Sequence, residues 1–546
     1  MKKFKYIILT VSVLMLNLMS CNDDFLEITN PNAYTEESYF TTAEQLEEAI
    51  AAAYYGFYHV GLFAREWYFY HDMLGNDAMA APAIVGTGSM GQLPSLTYDG
   101  TNTEIQNLWR SLYRIVLRAT IALDKSVAFE ATTGAESTIK DQVMGESSYL
   151  KAWAYFTLYR FWGRVPLRRT IEDMKIKDYA RCQTEQELVD YILELLSDAE
   201  QRLPVEWADD EKGRATRGAA VALRGQLYMW EQDYPAALAE FQKLGEEPYA
   251  YELAPEFGLV TSEETENNAE SIFEIQHFFN ETANIWYMFT GQESWGPDQA
   301  CTGRAMEYGW NDWFNVFVSE SLVSSFTYDI NETSDYVDPR AFHTFYGDAA
   351  SGGDTTFFYE PEDGDGMPNE HMYNFDSEPD TVFDSDGNVL DIFGPKGYAF
   401  KKYQRYETLT KEGVPQSPIN NRYMRYADVL LQIAECHIQM GNVDLALPVI
   451  NRVRSRAGAM EYNTLGDQTQ ALEILKHERR LELGGEQVRF WDLIRWGDLV
   501  ETLNPEKDAQ GEGTPYLPKH SKLPIPKDEL DINKEMVNNI YFDGWN

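Results

Sequence analysis

The N-terminal residues carry the most specific chemistry in this sequence. A basic start with three lysines is followed by an apolar run over residues 6–19. That run is too short to span a bilayer and is typical of a signal peptide. It ends in Leu18-Met19-Ser20-Cys21, which resembles a lipobox, where a cysteine thiol receives lipid before cleavage. We predict that residues 1–20 are a signal peptide and that Cys21 is lipidated; the alternative is an ordinary signal peptide with an unrelated cysteine.

Aromatic residues supply the second kind of candidate chemistry. Trp286, Trp295, Trp310 and Trp313 lie within 28 residues, among glycines and a proline that favour loops. A flat aromatic ring stacks on the C–H face of a sugar, and nearby amide and carboxylate side chains bind its hydroxyls. The alternative is that these tryptophans fill the inside of a large loop. Composition alone leaves both interpretations open.

Three other patterns bear on catalysis and cofactor binding. Residues 86–91 fit G-x-G-x-x-G, but Gln92-Leu93-Pro94 follows instead of a helix start, which favours a flexible loop. Asp384, Asp386 and Asn388 could ligate Ca²⁺, but they lack EF-hand spacing, so a plain turn is favoured. Acidic pairs for glycoside hydrolysis are numerous, and none stands out. We expect no catalytic residue and no cofactor, with calcium as the alternative.

The composition excludes several classes of function. The chain has 546 residues, of which 44% are hydrophobic and 24% charged, and this is a globular composition. Its formal net charge is −43, and removal of residues 1–20 leaves 42 basic and 88 acidic residues, a net charge of −46. Such an acidic protein is a poor partner for nucleic acid or for an anionic lipid surface. Four cysteines in a chain of this length do not form a disulfide scaffold.

Helical periodicity dominates residues 42–249, the N-terminal helical region that follows a tether at 21–41. Thr42 and Gln45 are spaced for a capping box that begins a helix running to about Tyr58. Stripes at steps of three and four predict three more helices. Their residues are Ile105, Leu108, Leu112, Ile115, Ala119 and Ala122; Tyr149, Trp153, Phe156 and Arg160; and Leu188, Ile192, Leu195, Ala199 and Leu203.

One helical segment carries a repeat pattern. Gly225, Tyr228, Ala237 and Phe241 fall at the offsets of the tetratricopeptide motif. Similar small-residue spacing recurs in the C-terminal helical region, residues 421–546. Because the two units are far apart in sequence, we predict a discontinuous helical solenoid instead of a tandem array.

Residues 250–420 differ from the helical regions on both sides. They are rich in Gly, Pro, Asn and aromatic residues, and residues 381–390 predict a hairpin closed by Asp386-Gly387. Residues 341–395 contain thirteen acidic residues and no Lys or Arg. We predict a mostly α-helical, tetratricopeptide-like scaffold with a large, loop-rich, ligand-facing insertion that carries short β-hairpins.

Six stretches together resemble the SusD/RagB family of outer-membrane nutrient-binding lipoproteins. They are 21–27 (CNDDFLE), 146–163 (ESSYLKAWAYFTLYRFWG), 425–435 (RYADVLLQIAE), 451–458 (NRVRSRAG), 478–497 (ERRLELGGEQVRFWDLIRWG) and 523–530 (LPIPKDEL). The resemblance extends over essentially the whole mature chain, and the six stretches come in the family's order. The charged residues of 478–497 are expected to form ion pairs between helices, because buried charges must be paired. These residues are Arg479, Arg480, Glu482, Arg489, Asp492 and Arg495.

The resemblance implies a binding protein and not an enzyme. Its expected location is the outward face of the outer membrane, where it is held by the lipid on Cys21. Its expected partner is a SusC-like TonB-dependent barrel, which the lipoprotein covers like a hinged lid. The energy for uptake comes through TonB, so the chain needs no catalytic group.

The resemblance also places the ligand site on loops. Trp310, after Gly309, lies at a position where the family often has a platform tryptophan, and residues 76–91 correspond to the first binding loop. That loop has no aromatic residue here, so we expect a ligand other than starch. The candidate ligand-binding residues are Trp310, Trp286, Trp295, Tyr287, Asn76 and Asp77.

Three functions are compatible with the sequence. Capture of an oligosaccharide for an importer is favoured, and a neutral or weakly charged one fits the acidic surface, although salt screens charge repulsion beyond roughly 10 Å. Capture of peptides or of another nutrient by the same scaffold is the alternative. A secreted, all-helical glycoside hydrolase is the least favoured.

Overall fold

The computed structural model describes most of the helical scaffold and part of the insertion. The described residues are 39–81, 84–85, 88–278, 300–309, 315–327, 336–359, 371–374, 382–383, 389–390, 398–404, 417–510, 514–538 and 544–545. Their helices are α1 Ala43–Tyr54, α2 Trp67–Asp72, α3 Thr103–Ala128, α4 Gly134–Trp162, α5 Ile171–Lys175, α6 Glu185–Arg202, α7 Arg217–Trp230, α8 Tyr234–Leu244, α9 Arg304–Tyr308, α10 Glu320–Thr327, α11 Ala341–Thr344, α12 Tyr426–Gln439, α13 Val443–Arg456, α14 Gln468–Leu483, α15 Arg489–Trp496, α16 Leu499–Gln510, α17 Lys527–Ile532 and α18 Lys534–Asn538. The mostly helical prediction is confirmed.

The strands are short and form antiparallel pairs. They are β1 Ala78–Ala80, β2 Ser271–Ile275, β3 Val316–Val318, β4 Phe345–Tyr346, β5 Thr356–Tyr359, β6 His371–Asn374, β7 Val382–Phe383, β8 Val389–Leu390, β9 Ala399–Phe400 and β10 Asn421–Arg425. The pairs in the described ranges are β1–β3, β2–β10, β4–β9, β5–β6 and β7–β8. In the predicted hairpin, Val382 lies opposite Leu390 and Phe383 opposite Val389. The short β-hairpins predicted for the insertion are therefore confirmed.

The N-terminal helices form where the sequence stripes predict them. Thr42 and Gln45 make the capping box that begins α1, and α3, α4 and α6 contain the three predicted stripes. The stripe on α4 is fully in the core. Trp153 on α4 packs edge-on against Phe57, with ring centroids 4.8 Å apart. Aromatic pairs of this kind add about 0.5–1.5 kcal/mol of stability beyond the buried area. The contact therefore helps to hold α4 against the segment that follows α1.

The helix pair α7 and α8 packs as the repeat pattern predicts. A Cβ atom added at Gly225 on α7 would lie 2.4 Å from the ring of Phe241 on α8, so only glycine allows this approach. The end of α8 packs in turn on α12 of the C-terminal region. There, the Tyr426 hydroxyl lies 2.3 Å from the position of a Cβ on Gly245. Helices distant in sequence are thus stacked next to each other.

The ion pairs expected in residues 478–497 are present. Arg479 on α14 binds Asp492 on α15 at 2.7 Å, and Arg495 on α15 binds Glu435 on α12 at 2.9 Å. Arg480 pairs with Asp77 at 3.1 Å, and Arg489 lies 3.8 Å from Glu506 on α16. These ion pairs link α14 and α15 to each other, to α12 and α16, and to Asp77 just before β1.

A cluster of ten buried charges joins the insertion to these helices. Each member has a side chain no more than 4% exposed, and the five positive charges balance the five negative ones. We call it the central ion network. Its members are Arg340, Lys402, Arg425, Arg454 and Arg456, with Glu270, Asp338, Glu478, Glu482 and Glu486.

The described part of the chain contains no helix with the length and apolar composition needed to cross a bilayer. Its three cysteines, Cys182, Cys301 and Cys436, are buried and unpaired.

Candidate functional site

The backbone at the end of β1 and the backbone just before β3 lie next to each other. β1 pairs with β3, so that Ala80 lies opposite Val316. One residue further, the Ala81 amide donates to the carbonyl of Asn315, at 2.9 Å. Residues 310–314 lie outside the described residues, but the backbone on either side is fixed. The structure therefore brings together the stems of two of the predicted binding loops.

Helix α9 holds the backbone that leads to Trp310. Glu307 on α9 accepts from Arg65 at 2.5 Å and from Asn315 at 2.7 Å. The Tyr308 hydroxyl donates to Asp72 at 2.9 Å, and burial raises the pKa of Asp72 to about 6. A Cβ added at Gly309 would lie 2.1 Å from the nearest backbone oxygen, so the glycine is needed for close approach and not for a positive φ.

Asn76 and Asp77, the polar candidates of the first loop, are buried in the scaffold. They are only 6% and 2% exposed. The Asn76 amide donates to Glu506 at 2.5 Å, and Asp77 pairs with Arg480. Burial raises the pKa of Asp77, and Arg480 and Arg489 oppose that rise. Their observed contacts are structural, and contact with a ligand stays a prediction.

A cavity of about 580 Å³ opens beside Phe278 and Ala300, the residues on either side of the segment 279–299. The Phe278 amide donates to the carbonyl of Ala300 at 2.7 Å, so the two ends of this segment are joined. We call the space beside them the stem cavity. Its aromatic lining consists of Tyr54, Tyr55, Phe57, Tyr58, Phe273 and Phe278, with Glu47, Lys212, Arg214, Glu274 and Gln276 as polar groups. This size and this mixture of groups are typical of sites for small organic ligands.

The tyrosines of the stem cavity are held in place by the strand that leads to the segment 279–299. The Tyr58 hydroxyl donates to the Gln276 carbonyl at 2.5 Å, and the rings of Tyr55 and Tyr58 meet edge to face at 5.4 Å. Phe278 is 46% exposed. Sequence reasoning missed this group because Tyr54, Tyr55 and Tyr58 continue a helical pattern and look like core residues.

The largest of the described cavities lies elsewhere and is a poorer candidate. It has about 710 Å³ and lies between α14 and α15. Its cations are already matched, because Lys476 binds Glu473 and Asp498 at 2.8 and 2.6 Å, and Arg480 binds Asp77. Among the described residues, no group of His, Cys, Asp or Glu is arranged to hold a metal ion.

Several predicted site residues fall outside the described residues, so their placement stays a prediction. They are Cys21, Trp286, Tyr287, Trp295, Trp310 and Trp313, together with Asp384, Asp386 and Asn388 of the calcium alternative. Residues 86 and 87 of the glycine motif also lie outside, and Met90–Gln92 form a short 3₁₀ turn.

Two family models match this chain, one in each half. Residues 269–545 match the model described as "SusD family". The chain belongs to the SusD family. Residues 24–229 match a second model, described as "Starch-binding associating with outer membrane". The SusD resemblance found in the sequence motifs is therefore confirmed.

Individual SusD-like proteins are similar along nearly the whole chain. SusD-like protein P38 of Formosa agariphila is 24% identical, over 92% of this chain and 94% of its own. A SusD homolog of Bacteroides thetaiotaomicron has the same fold, with a TM-score of 0.73, 20% identity and coverage of 92% and 97% of the two chains. Surface glycan-binding protein A of the same species, solved in complex with laminarihexaose, has a TM-score of 0.66, 22% identity and coverage of 90% and 98%.

Proposed function

We propose that this SusD-family protein is a lipid-anchored, glycan-binding subunit on the outward face of the outer membrane. It captures a neutral or weakly charged oligosaccharide and delivers it, as a hinged lid, to a SusC-like TonB-dependent barrel. The observation that carries the proposal is the aromatic stem cavity beside the two ends of the segment with Trp286 and Trp295, in a chain of this family. Binding and delivery require no catalytic residue.

Two further observations support a sugar as the ligand. A structural relative is solved in complex with laminarihexaose, which makes β-glucan oligosaccharides the first compounds to test. The stem cavity combines the exposed ring of Phe278 and the partly exposed rings of three tyrosines with carboxylate and amide groups, the combination that binds both the faces and the hydroxyls of sugars. A panel of laminarin, starch, xylan and galactomannan, measured by calorimetric titration, tests the proposal. Binding of peptides alone would favour the alternative nutrient, and new reducing ends would favour a hydrolase.

Replacing Trp310 with alanine tests the predicted platform. We expect weaker binding of the glycan by about 1–3 kcal/mol, taking stacking on nucleic-acid bases as the analogue. The fold should survive, because a loop aromatic that stacks on a ligand contributes little to the core. Calorimetric titration gives the affinity, and a thermal melt of the same sample gives the stability.

Trp310→Phe is the matched control, since it keeps an aromatic face and should retain most of the affinity. If Trp310 fills a core, alanine should instead cost about 3–5 kcal/mol of stability. Unchanged affinity together with a lower melting temperature would refute the assignment.

The partner prediction is tested in the outer membrane itself. We expect this protein, extracted in mild detergent and captured through a C-terminal tag, to bring down a TonB-dependent barrel of much larger mass. A lipid anchor holds a protein at the membrane but provides no route across it, so a transport partner is required. Mass spectrometry identifies the captured protein. Recovery of the lipoprotein alone would count against the partnership.

A further inference from the structure

A second cavity lies beside the stem cavity and shares part of its wall. It has about 350 Å³, and we call it the side cavity. The residues common to both are Lys212, Gly213 and Arg214, together with Phe273 and Glu274 of β2. The segment 212–214 therefore forms a ridge with one cavity on each side.

The side cavity has a rigid aromatic wall. The Trp207 ring nitrogen donates to the Ala215 carbonyl at 2.8 Å, and the Arg214 guanidinium lies over the ring at 3.8 Å. Tyr251 packs against Gly218, where a Cβ would lie 2.4 Å from its hydroxyl oxygen. Two of the wall's rings are thus fixed by the scaffold.

Tyr249 differs from these two rings. It is partly exposed, and within the described residues no hydrogen bond restrains its hydroxyl. A ring of this kind can adjust to a bound molecule at little cost to the fold. Tyr249 packs partly against the core, and it is the member of the side cavity with a partly exposed ring and a hydroxyl that makes no hydrogen bond among the described residues.

The polar wall of the side cavity is also prearranged. The side chains of Asn267 and Gln276 exchange two hydrogen bonds, at 2.9 and 3.0 Å, and the Asn267 amide nitrogen of the backbone donates to Glu274 at 3.0 Å. Asn267, Asn268 and Glu274 line the side cavity, and Gln276 holds Asn267 from the stem cavity. Fixed amide and carboxylate groups opposite aromatic rings form an arrangement suited to sugar hydroxyls.

A glycine in the ridge between the cavities leaves room for the side chain of Gln276. Gly213 has φ +99°, and a Cβ there would lie 2.2 Å from the Gln276 side chain. Any other residue would both strain the backbone and displace Gln276. The Lys212 side chain, which is 42% exposed, pairs with Asp209 at 2.7 Å and leaves the ridge open for a chain to cross.

We propose that the stem cavity and the side cavity are two parts of one groove, which binds a single neutral or weakly charged oligosaccharide across the 212–214 ridge. The groove selects chains long enough to reach both cavities. This inference rests on the proposed function and extends it, because it predicts a minimum length and a second set of binding residues. The ridge cations Lys212 and Arg214 are each paired with a carboxylate, which leaves them less available to a polyanionic chain.

The test is a length series of oligosaccharides titrated into wild type and Tyr249→Ala. The probes are size-fractionated hydrolysates, from disaccharide to octasaccharide, of whichever panel polysaccharide (laminarin, starch, xylan or galactomannan) binds the wild type. For wild type we expect the affinity to increase with oligosaccharide length in two steps. The first increase comes as the stem cavity is filled, and the second comes once the chain is long enough to reach the side cavity. Tyr249→Ala should abolish that second rise, lowering affinity for the longest chains about tenfold and leaving the shortest unchanged.

Two further variants make the result specific. Tyr249→Phe keeps the ring and should retain the second rise, whereas Tyr55→Ala, in the stem cavity, should weaken short and long chains alike. Thermal melts verify that all three variants remain folded. If Tyr249→Ala leaves the long chains unaffected, or weakens all lengths equally, the inference is wrong while the proposed function stands. If no panel polysaccharide binds the wild type, the proposed function fails and the groove with it.

Discussion

Replacing Glu482 with alanine is expected to lower the free energy of unfolding by about 3–5 kcal/mol, the usual cost of breaking a buried ion pair from one side. Glu482 lies on α14 with its side chain fully buried. It accepts from Arg425 at 2.7 Å, from Arg340 at 3.1 Å and from Arg456. Burial alone would raise the pKa of Glu482, but these three guanidinium groups hold it well below its usual value.

The expected cost follows from the balance of charge in the central ion network. With Glu482 removed, five cations face four carboxylates in a region with almost no access to water. Each arginine retains a second carboxylate, such as Glu270 for Arg425 and Arg456, so the network is weakened and not dismantled. The three guanidinium groups around the removed carboxylate cannot be neutralised, because a guanidinium keeps its proton.

Chemical denaturation at neutral pH measures the effect. Glu473→Ala is the matched control, since Glu473 lies on the same helix, is 63% exposed and, within the described ranges, pairs only with Lys476 three residues away. Exposed pairs of this kind contribute about 0–1 kcal/mol. A similar, small loss in both variants would show that the network does not stabilise the fold as proposed.

Much of the scaffold is predictable because its signals are local. The stripe on α4 and the capping box on α1 depend on residues three or four positions apart, and the structure contains both. The charges of 478–497 are a different case. Their type predicts that they must be paired, and Asp492 within the same stretch is one partner. The other partners include Asp77 and Glu435, and no local rule identifies such distant residues.

The candidate site is less predictable for the same reason. Asn76 and Asp77 look like exposed loop residues in sequence, yet Arg480 and Glu506, about four hundred residues further on, bury them. In the stem cavity the opposite occurs, because residues that look like core residues in sequence form the wall of a cavity. Tyr55 and Tyr58 continue a helical pattern, and their role as a cavity wall depends on the arrival of residues 273–278 from a distant part of the chain.

Replacing Cys21 with serine is expected to remove the protein from the outer membrane. Each acyl chain with roughly fourteen buried methylenes contributes about 11 kcal/mol at ~0.8 kcal/mol per methylene, and more than one chain makes anchoring stable. The described part of the chain offers no spanning helix in its place. A net charge of −46 after removal of residues 1–20 also gives the mature surface no affinity for anionic lipid.

Fractionation of cells that express each variant measures this effect. Wild type should remain with the outer membrane after a high-salt wash, and mass spectrometry should find Cys21 acylated and residues 1–20 absent. A variant with Asp23 and Asp24 changed to asparagine is the control, because it alters the adjacent acidic patch but keeps the thiol, and it should stay in the membrane fraction. Unmodified Cys21 in membrane-extracted wild type would overturn the prediction. A serine hydroxyl cannot receive the thioether-linked lipid, so residues 1–20 stay attached and their apolar run at 6–19 would hold the variant in the inner membrane. Retention of the serine variant in the outer-membrane fraction would mean that a protein partner, and not the lipid, holds the chain there.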